Sequence, residues 1–212
     1  MRGSKADCIE EAEGAFRRAV SDLMAGRLSS ALENLERCLA CDPGFAPAHS
    51  ICAAVHLRQD RFEEALQDID RALELRRGNA GDLHNRAVIW TALEKYDRAI
   101  EDYEAVLQID PGSAGTLNNL AWVLVTAKDP RVRDGPRALA YALEAVRRGD
   151  TPAWLDTLAA AYAECGDFEN AVASEEEAYR RSRPPNELFR RRLESYRDGR
   201  TFTEWREAHD EK

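Results

Sequence analysis

Residues 80–113 read AGDLHNRAVIWTALEKYDRAIEDYEAVLQIDPGS, and this stretch decides the fold. Leu83, Ala87 and Trp90 recur at helical spacing in its first half, which predicts an amphipathic helix. A second apolar stripe follows the polar pair Glu94-Lys95 and consists of Tyr96, Ala99, Ile100, Tyr103, Val106 and Leu107. Residues 110–112 (Asp-Pro-Gly) end this second helix, because proline lacks an amide donor and glycine tolerates left-handed backbone. The stretch therefore predicts a helical hairpin.

The same pattern recurs along the chain with a step of 34 residues. Ala31, Ala65 and Ala99 show this step most clearly. Three further sets repeat it: Ala19, Ala53, Ala87 and Ala121; Leu39, Leu73 and Leu107; and Leu28, Phe62 and Tyr96. A fixed period of this length is typical of stacked helical repeats, in which each repeat buries its apolar face against its neighbours. We therefore expect an all-α solenoid that presents a surface and carries out no chemistry of its own.

The positions within the hairpin resemble those of the tetratricopeptide repeat. That motif has a small residue midway along its first helix (helix A) and a large residue at the start of its second helix (helix B). An alanine, a second small residue and a closing proline follow. In residues 80–113 the five positions are held by Ala87, Tyr96, Ala99, Val106 and Pro111. The resemblance covers roughly residues 12–183 and implies an α-solenoid, a right-handed superhelix of antiparallel helix pairs.

Five hairpins are expected, over residues 12–45, 46–79, 80–113, 114–150 and 151–183, after an N-terminal extension of residues 1–11. The fourth contains an inserted loop, KDPRVRDGP (128–136), because Ala99 and Ala138 are five residues further apart than the period. Arg77 stands where the second hairpin would have its proline. Glu175 occupies an apolar position of the fifth hairpin, so we expect its helices to pack less tightly.

Residues 184–212 are expected to form a capping helix and a tail that cover the end of the array. Asn186 follows Pro184-Pro185 and is the residue type that favours a helix N-cap. The predicted apolar face of this helix consists of Leu188, Phe189, Leu193 and Tyr196, with arginines on the opposite face.

The composition is that of a globular protein, with 44% apolar and 33% charged residues among 212. The longest apolar run, residues 120–127, is far shorter than the ~20 residues of a membrane-spanning helix. The first residues, MRGSKADCIEE, contain no apolar core, so a secretion signal is not predicted. Five cysteines without the spacing of a disulfide framework favour a reducing compartment, and we expect the cytoplasm.

Catalytic motifs are not found: the sequence has no glycine-rich phosphate loop, no nucleophile elbow and no His-Glu metal helix. We therefore predict no enzymatic activity and no cofactor. Five residues do have the chemistry of zinc ligands: Cys38, Cys41, His49, Cys52 and His56. Cys38 and Cys52 occupy repeat positions that require small buried residues, which favours a packing role. Whether this group ever binds metal is left open by the sequence.

In the tetratricopeptide family the A helices line a concave groove that holds peptide partners. The resemblance therefore implies a scaffold or adaptor that binds a peptide or protein segment. The positions expected to line the groove are Arg58, His84, Asn85, Val88, Asn118, Asn119, Trp122 and Thr126, with Ser50 and Ala54 beside them. Asn85 and Asn119 lie one period apart, and an amide both donates to and accepts from a peptide backbone. Trp122 is the candidate aromatic anchor. The alternative is that the asparagines satisfy local polar groups and Trp122 packs between repeats.

Three other functions are weighed against this one. Binding of chaperone C-termini requires a lysine and arginine clamp, but Ser50, Ile51, His84 and Asn85 hold the relevant positions, so this binding is disfavoured. Self-association, or service as the terminal segment of a larger assembly protein, is the main alternative. Nucleic-acid binding would rely on the C-terminal arginines: Arg180, Arg181, Arg183, Arg190, Arg191, Arg192, Arg197 and Arg200. The net charge of −9 and the acidic residues among these arginines argue against it.

Overall fold

The structure is a computed structural model that describes the backbone of residues 5–210 and the side chains of residues 8–207. The described part contains twelve helices and no strand, which confirms the predicted all-α class. It divides into two compact units between Leu93 and Glu94. The first unit contains α1 (Lys5–Met24), α2 (Leu28–Cys41), α3 (Ala46–Arg58), α4 (Phe62–Leu75) and α5 (Ala80–Ala92). The second contains α6 (Tyr96–Ile109), α7 (Ala114–Thr126), α8 (Gly135–Arg148), α9 (Pro152–Glu164), α10 (Phe168–Arg181), α11 (Glu187–Arg197) and α12 (Phe202–Asp210).

Buried alanines hold the helices of the first unit together. The helices α1 and α2 pack as one hairpin, α3 and α4 as the next, and α5 packs on both α3 and α4. Ala31 and Ala65 are 0% exposed, and Ala19 and Ala53 are buried with them. Small side chains at these positions let helix backbones approach closely, and a larger side chain would overpack the contact. The 34-residue step in the sequence therefore arises because the same helix contact recurs in each repeat.

The turns between A and B helices follow the same step. Gly26, Asp60 and Glu94 all have left-handed backbone, with φ of 74°, 56° and 56°. Only glycine adopts this conformation without a steric cost, which for other residues is about 1–2 kcal/mol. The repeat therefore fixes a backbone angle at this position even where the residue type differs.

A buried polar network fixes the connection between α4 and α5. Ser50, expected beside the groove, is buried and donates a hydrogen bond to Asp82 Oδ1 at 2.6 Å. Arg76 Nη2 donates to Ser50 Oγ at 2.9 Å and to Asp82 Oδ2 at 2.8 Å. The expectation that Ser50 faces the groove is therefore wrong. The network holds the α4–α5 connection where Arg77 replaces the usual proline.

We expect Asp82→Asn to lower the free energy of unfolding by about 1.5–3 kcal/mol, because it removes the charged acceptor of Arg76. Urea denaturation followed by circular dichroism measures the change. Asp70→Asn is the matched control, since Asp70 pairs with Arg86 and is half exposed. The Asp70→Asn substitution should lower the free energy of unfolding by less than about 1 kcal/mol. Equal losses in the two variants would show that the buried network does not stabilise this connection.

The inserted loop of the second unit caps the C-terminal end of α7. Asp134 N donates to the Leu124 carbonyl at 2.9 Å, and Arg133 Nη1 donates to the Ala127 carbonyl at 3.2 Å. Asp134 is also the N-cap of α8. That helix begins at Gly135, so it includes the end of the segment expected to be loop. A Cβ at Gly135 would lie 3.2 Å from the Glu164 backbone, so glycine is required by this close approach.

The C-terminal region contains two helices where the sequence predicted one. Asn186 caps α11 as expected, since its side chain accepts a hydrogen bond from Leu188 N at 2.9 Å. Phe189, Leu193 and Tyr196 are buried, as their predicted face requires. The expectation for Leu188 is wrong, because this side chain is 49% exposed. The second helix, α12, packs on α7, α9 and α11.

Candidate interaction surfaces

The surface of α5 in the first unit carries three of the predicted residues. His84, Asn85 and Val88 are half-buried on this helix. Burial lowers the pKa of His84, so its imidazole is neutral at neutral pH. The Asn85 amide makes no hydrogen bond to the described part of the chain. Arg58 of α3 donates to the Leu23 carbonyl at 3.0 Å, which engages its guanidinium at the C-terminal end of α1.

The surface of α7 in the second unit carries the other predicted residues. Asn118 Nδ2 donates to Asn119 Oδ1 at 3.4 Å. The Asn118 Oδ1 atom is buried and accepts no hydrogen bond from any described residue. Thr126 Oγ1 donates to the Trp122 carbonyl at 2.7 Å, a local bond within the helix. The Trp122 ring is half-buried.

The helix α12 covers Trp122 and the end of α7. The rings of Phe202 and Trp122 meet edge to face, with centroids 5.0 Å apart. Arg206 Nη1 donates to the Thr126 carbonyl at 2.7 Å. Two residues that the sequence assigned to partner binding thus contact another part of the same chain. The sequence does contain a signal for this contact, since the aromatic residues Phe202 and Trp205 follow helical spacing.

Arg192 lies at the centre of this contact. Its guanidinium pairs with the Asp156 carboxylate of α9. It also lies over three aromatic rings, with distances to their centroids of 5.3 Å for Trp122, 4.9 Å for Phe202 and 5.4 Å for Trp205. A desolvated cation over an aromatic ring is attracted by the ring quadrupole. The expectation that the arginines of α11 all face solvent is wrong for Arg192, because Asp156 and the aromatic rings bury it.

Glu175 is 0% exposed and belongs to the same cluster. Burial raises its pKa to about 10, and the neighbouring Asp156 carboxylate contributes to this rise. Burial also raises the pKa of Asp156, but the Arg192 guanidinium opposes this change. Since Arg192 contacts Asp156 directly, the proton belongs to Glu175, whose two carboxyl oxygens have no hydrogen-bond partner among the described residues. Glu175 is therefore an integral part of a buried cluster, where the sequence predicted only looser packing.

The cysteines and histidines of the first unit do not converge on one point. Cys38 and Cys52 are buried, and burial raises the pKa of Cys52 to about 12. His56 Nδ1 lies 2.8 Å from Asp68 Oδ2, and His49 Nδ1 lies 3.7 Å from Asp68 Oδ1. Within residues 8–207, no three His, Cys, Asp or Glu side chains are grouped so that they could hold a metal ion.

Most of the C-terminal arginines pair with carboxylates. Seven of the eight do so: Arg180 with Glu177, Arg181 with Asp150, Arg190 and Arg191 with Glu187, Arg192 with Asp156, Arg197 with Glu176, and Arg200 with Asp198. Positive charge that is neutralised in this way attracts phosphate weakly.

Helical hairpins packed through periodic small residues define an α-solenoid built from repeats. Two tetratricopeptide-repeat profiles match the sequence, one over residues 22–85 and the other over residues 83–113. Residues 22–113 therefore consist of tetratricopeptide repeats. Repeats of this family serve in general as protein-interaction scaffolds, and the fold is typically that of a non-enzymatic module.

Solved structures share this fold at low sequence identity. PilF of Pseudomonas aeruginosa is 19% identical, with a TM-score of 0.75 over 97% of this chain and 100% of its own. A thermophilic tetratricopeptide-repeat protein of Thermus thermophilus is 21% identical, with a TM-score of 0.68 over 87% and 98%. YrrB, described as having an unusual peptide-binding site, is 16% identical, with a TM-score of 0.63 over 88% and 95%. No curated protein matches the sequence significantly. Among the described residues, no helix is long and apolar enough to cross a membrane.

Proposed function

We propose that this protein is a non-enzymatic scaffold that binds a peptide or protein segment on the exposed faces of its A helices. The observation that carries the proposal is the Asn85 amide, which is accessible on α5 and unused by the fold. An A-helix face is also where the family resemblance places a partner. YrrB, which shares the fold, is described as having a peptide-binding site.

The chemistry of the α5 face suits an extended segment recognised through its backbone. The Asn85 amide can donate to a carbonyl and accept from an N–H group at the same time. Val88 supplies apolar contact beside it, and the neutral His84 adds no charge. Main-chain hydrogen bonds give affinity with little sequence preference, so specificity depends on the neighbouring side chains. A carboxylate-terminated partner would find no lysine and arginine clamp on α5, because His84 and Asn85 hold those positions.

The test begins with the partner that co-purifies from the native host, identified by mass spectrometry and then prepared pure. We expect Asn85→Ala combined with Asn119→Ala to weaken its binding about tenfold or more, because each amide loses up to two hydrogen bonds. Isothermal titration calorimetry measures the affinity.

Gln67→Ala is the matched control, since Gln67 is an exposed amide on the B helix α4. Its affinity should equal that of the unmodified protein. If the double variant binds the partner as tightly as Gln67→Ala does, the A-helix amides do not hold the partner.

A further inference from the structure

The second unit holds a helix on its A-helix face. The helix α12 packs on α7 and α9, which are the A helices of their hairpins. We propose that this face is a binding site for a partner helix with aromatic residues at positions i and i+3 and an arginine at i+4, and that α12 fills the site in cis. The proposal rests on the proposed function and names the partner chemistry for this unit.

The aromatic part of the site recognises positions i and i+3. Phe202 and Trp205 of α12 are buried there, and Phe202 meets the Trp122 ring edge to face. The Arg192 guanidinium lies over both rings of α12 and over Trp122. An aromatic helix therefore gains apolar burial, a ring–ring contact and cation–π contacts at one place. An aliphatic helix would gain only the first of these.

The end of α7 recognises the arginine at i+4. The last carbonyls of a helix have no partner within it and carry partial negative charge. In α7, Ala127 N donates to the Val123 carbonyl, and Asp134 N donates to the Leu124 carbonyl. The Thr126 carbonyl accepts from Arg206 at 2.7 Å. A partner helix without a basic residue at this position would leave that carbonyl without its charged donor.

Both the site and its cis ligand are organised locally. Arg192 is held by Asp156 of α9, so the centre of the site does not depend on α12. Within α12, Glu204 Oε2 accepts from Thr201 N at 2.7 Å, which caps the helix from its own sequence. Four residues, 198–201, connect α11 and α12, and Gly199 among them has a left-handed φ of 69°. Release of α12 therefore requires a change in this short connection and leaves α11 folded.

The experiment uses a fluorescein-labelled peptide of residues 199–210 (GRTFTEWREAHD) as the probe, titrated with the full chain and followed by fluorescence anisotropy. A tethered helix competes at an effective concentration near millimolar. We therefore expect the Phe202→Ala/Trp205→Ala chain, whose α12 is weakened, to bind the peptide about tenfold or more tightly than the unmodified chain does. Adding Trp122→Ala to that chain should reduce its peptide affinity about tenfold.

Controls separate binding from folding and from charge. Glu207 is exposed on α12, so the Glu207→Ala chain should match the unmodified chain. A peptide with both aromatic residues replaced by alanine should not bind. Because loss of two buried rings can unfold the chain, Arg206→Glu provides a second release variant that keeps both rings of α12 and removes the charged donor to the Thr126 carbonyl. Circular dichroism confirms that each variant is folded.

The proposal is overturned if neither folded release variant binds the peptide more tightly than the unmodified chain. It is also overturned if the unmodified chain dimerises with concentration and excess peptide dissolves the dimer, since the occupant is then α12 of a second copy. If the peptide titration overturns the helix site but the Asn85→Ala/Asn119→Ala variant still binds its partner more weakly, the proposed function stands. If that double variant binds its partner with unchanged affinity but the peptide results are as expected, the helix site stands.

Discussion

Replacing Arg192 by methionine should lower the free energy of unfolding by about 3–5 kcal/mol, because it leaves buried carboxyl groups without their cation. Arg192 is the direct ion-pair partner of Asp156 and lies over Trp122, Phe202 and Trp205. The variant loses the ion pair and the cation–π contacts together. Urea denaturation monitored by tryptophan fluorescence reports the loss, since two of the affected rings are indoles.

Arg190→Met is the matched control on the same helix. Arg190 pairs with Glu187 and Glu194, but its side chain is nearly half exposed. Exposed pairs of this kind contribute about 0.2–1 kcal/mol, so the control should unfold almost as the unmodified protein does. Similar small losses in both variants would contradict a stabilising role for the buried cluster.

The stability of the protein should fall as pH rises, and Glu175 should be the cause. Burial raises its pKa in the folded protein to about 10, while the unfolded chain has the ordinary value near 4.5. Between these values the folded protein holds a proton that the unfolded chain has released. The contribution of the protonated Glu175 to the free energy of unfolding is therefore fully present below about pH 4.5 and is lost as pH rises toward 10. The slope for one such group is at most about 1.4 kcal/mol per pH unit.

Glu175→Gln isolates this effect, because the amide is neutral at every pH and has nearly the same shape. Between about pH 6 and pH 8 the unmodified protein should lose up to about 3 kcal/mol more than the variant does. Urea denaturation of both proteins at several pH values gives the difference, in which the titration of all other groups cancels. Parallel stability curves would show that Glu175 is ionised in the folded protein.

The repeat framework could be predicted because it depends on local patterns. Ala31, Ala65 and Ala99 must be small wherever two helices touch, so the period is visible in the sequence and each of the three is 0% exposed. The cap at Asn186 was equally predictable, since an N-cap depends only on the residues beside it.

The contacts around Arg192 could not be predicted in the same way. Helical spacing places Arg192 among exposed arginines, whereas its burial depends on Asp156, which lies 36 residues earlier. The position of α12 depends likewise on Trp122 and Thr126, about 80 residues away. Contacts over such distances follow from the packing of whole hairpins, and no local pattern records them. The candidate site on α7 was therefore predicted without the helix that covers it.

The five additional residues of the fourth hairpin look expendable when the chain is aligned to its own period. In the structure this segment caps α7. Asp134 N donates a hydrogen bond to the Leu124 carbonyl, and the Arg133 side chain donates one to the Ala127 carbonyl at the end of the helix. Trimming the loop to the regular 34-residue period would leave these two carbonyls without hydrogen-bond donors, beside the surface that α12 covers. Shortening this repeat to the regular period would therefore destabilise the C-terminal end of α7.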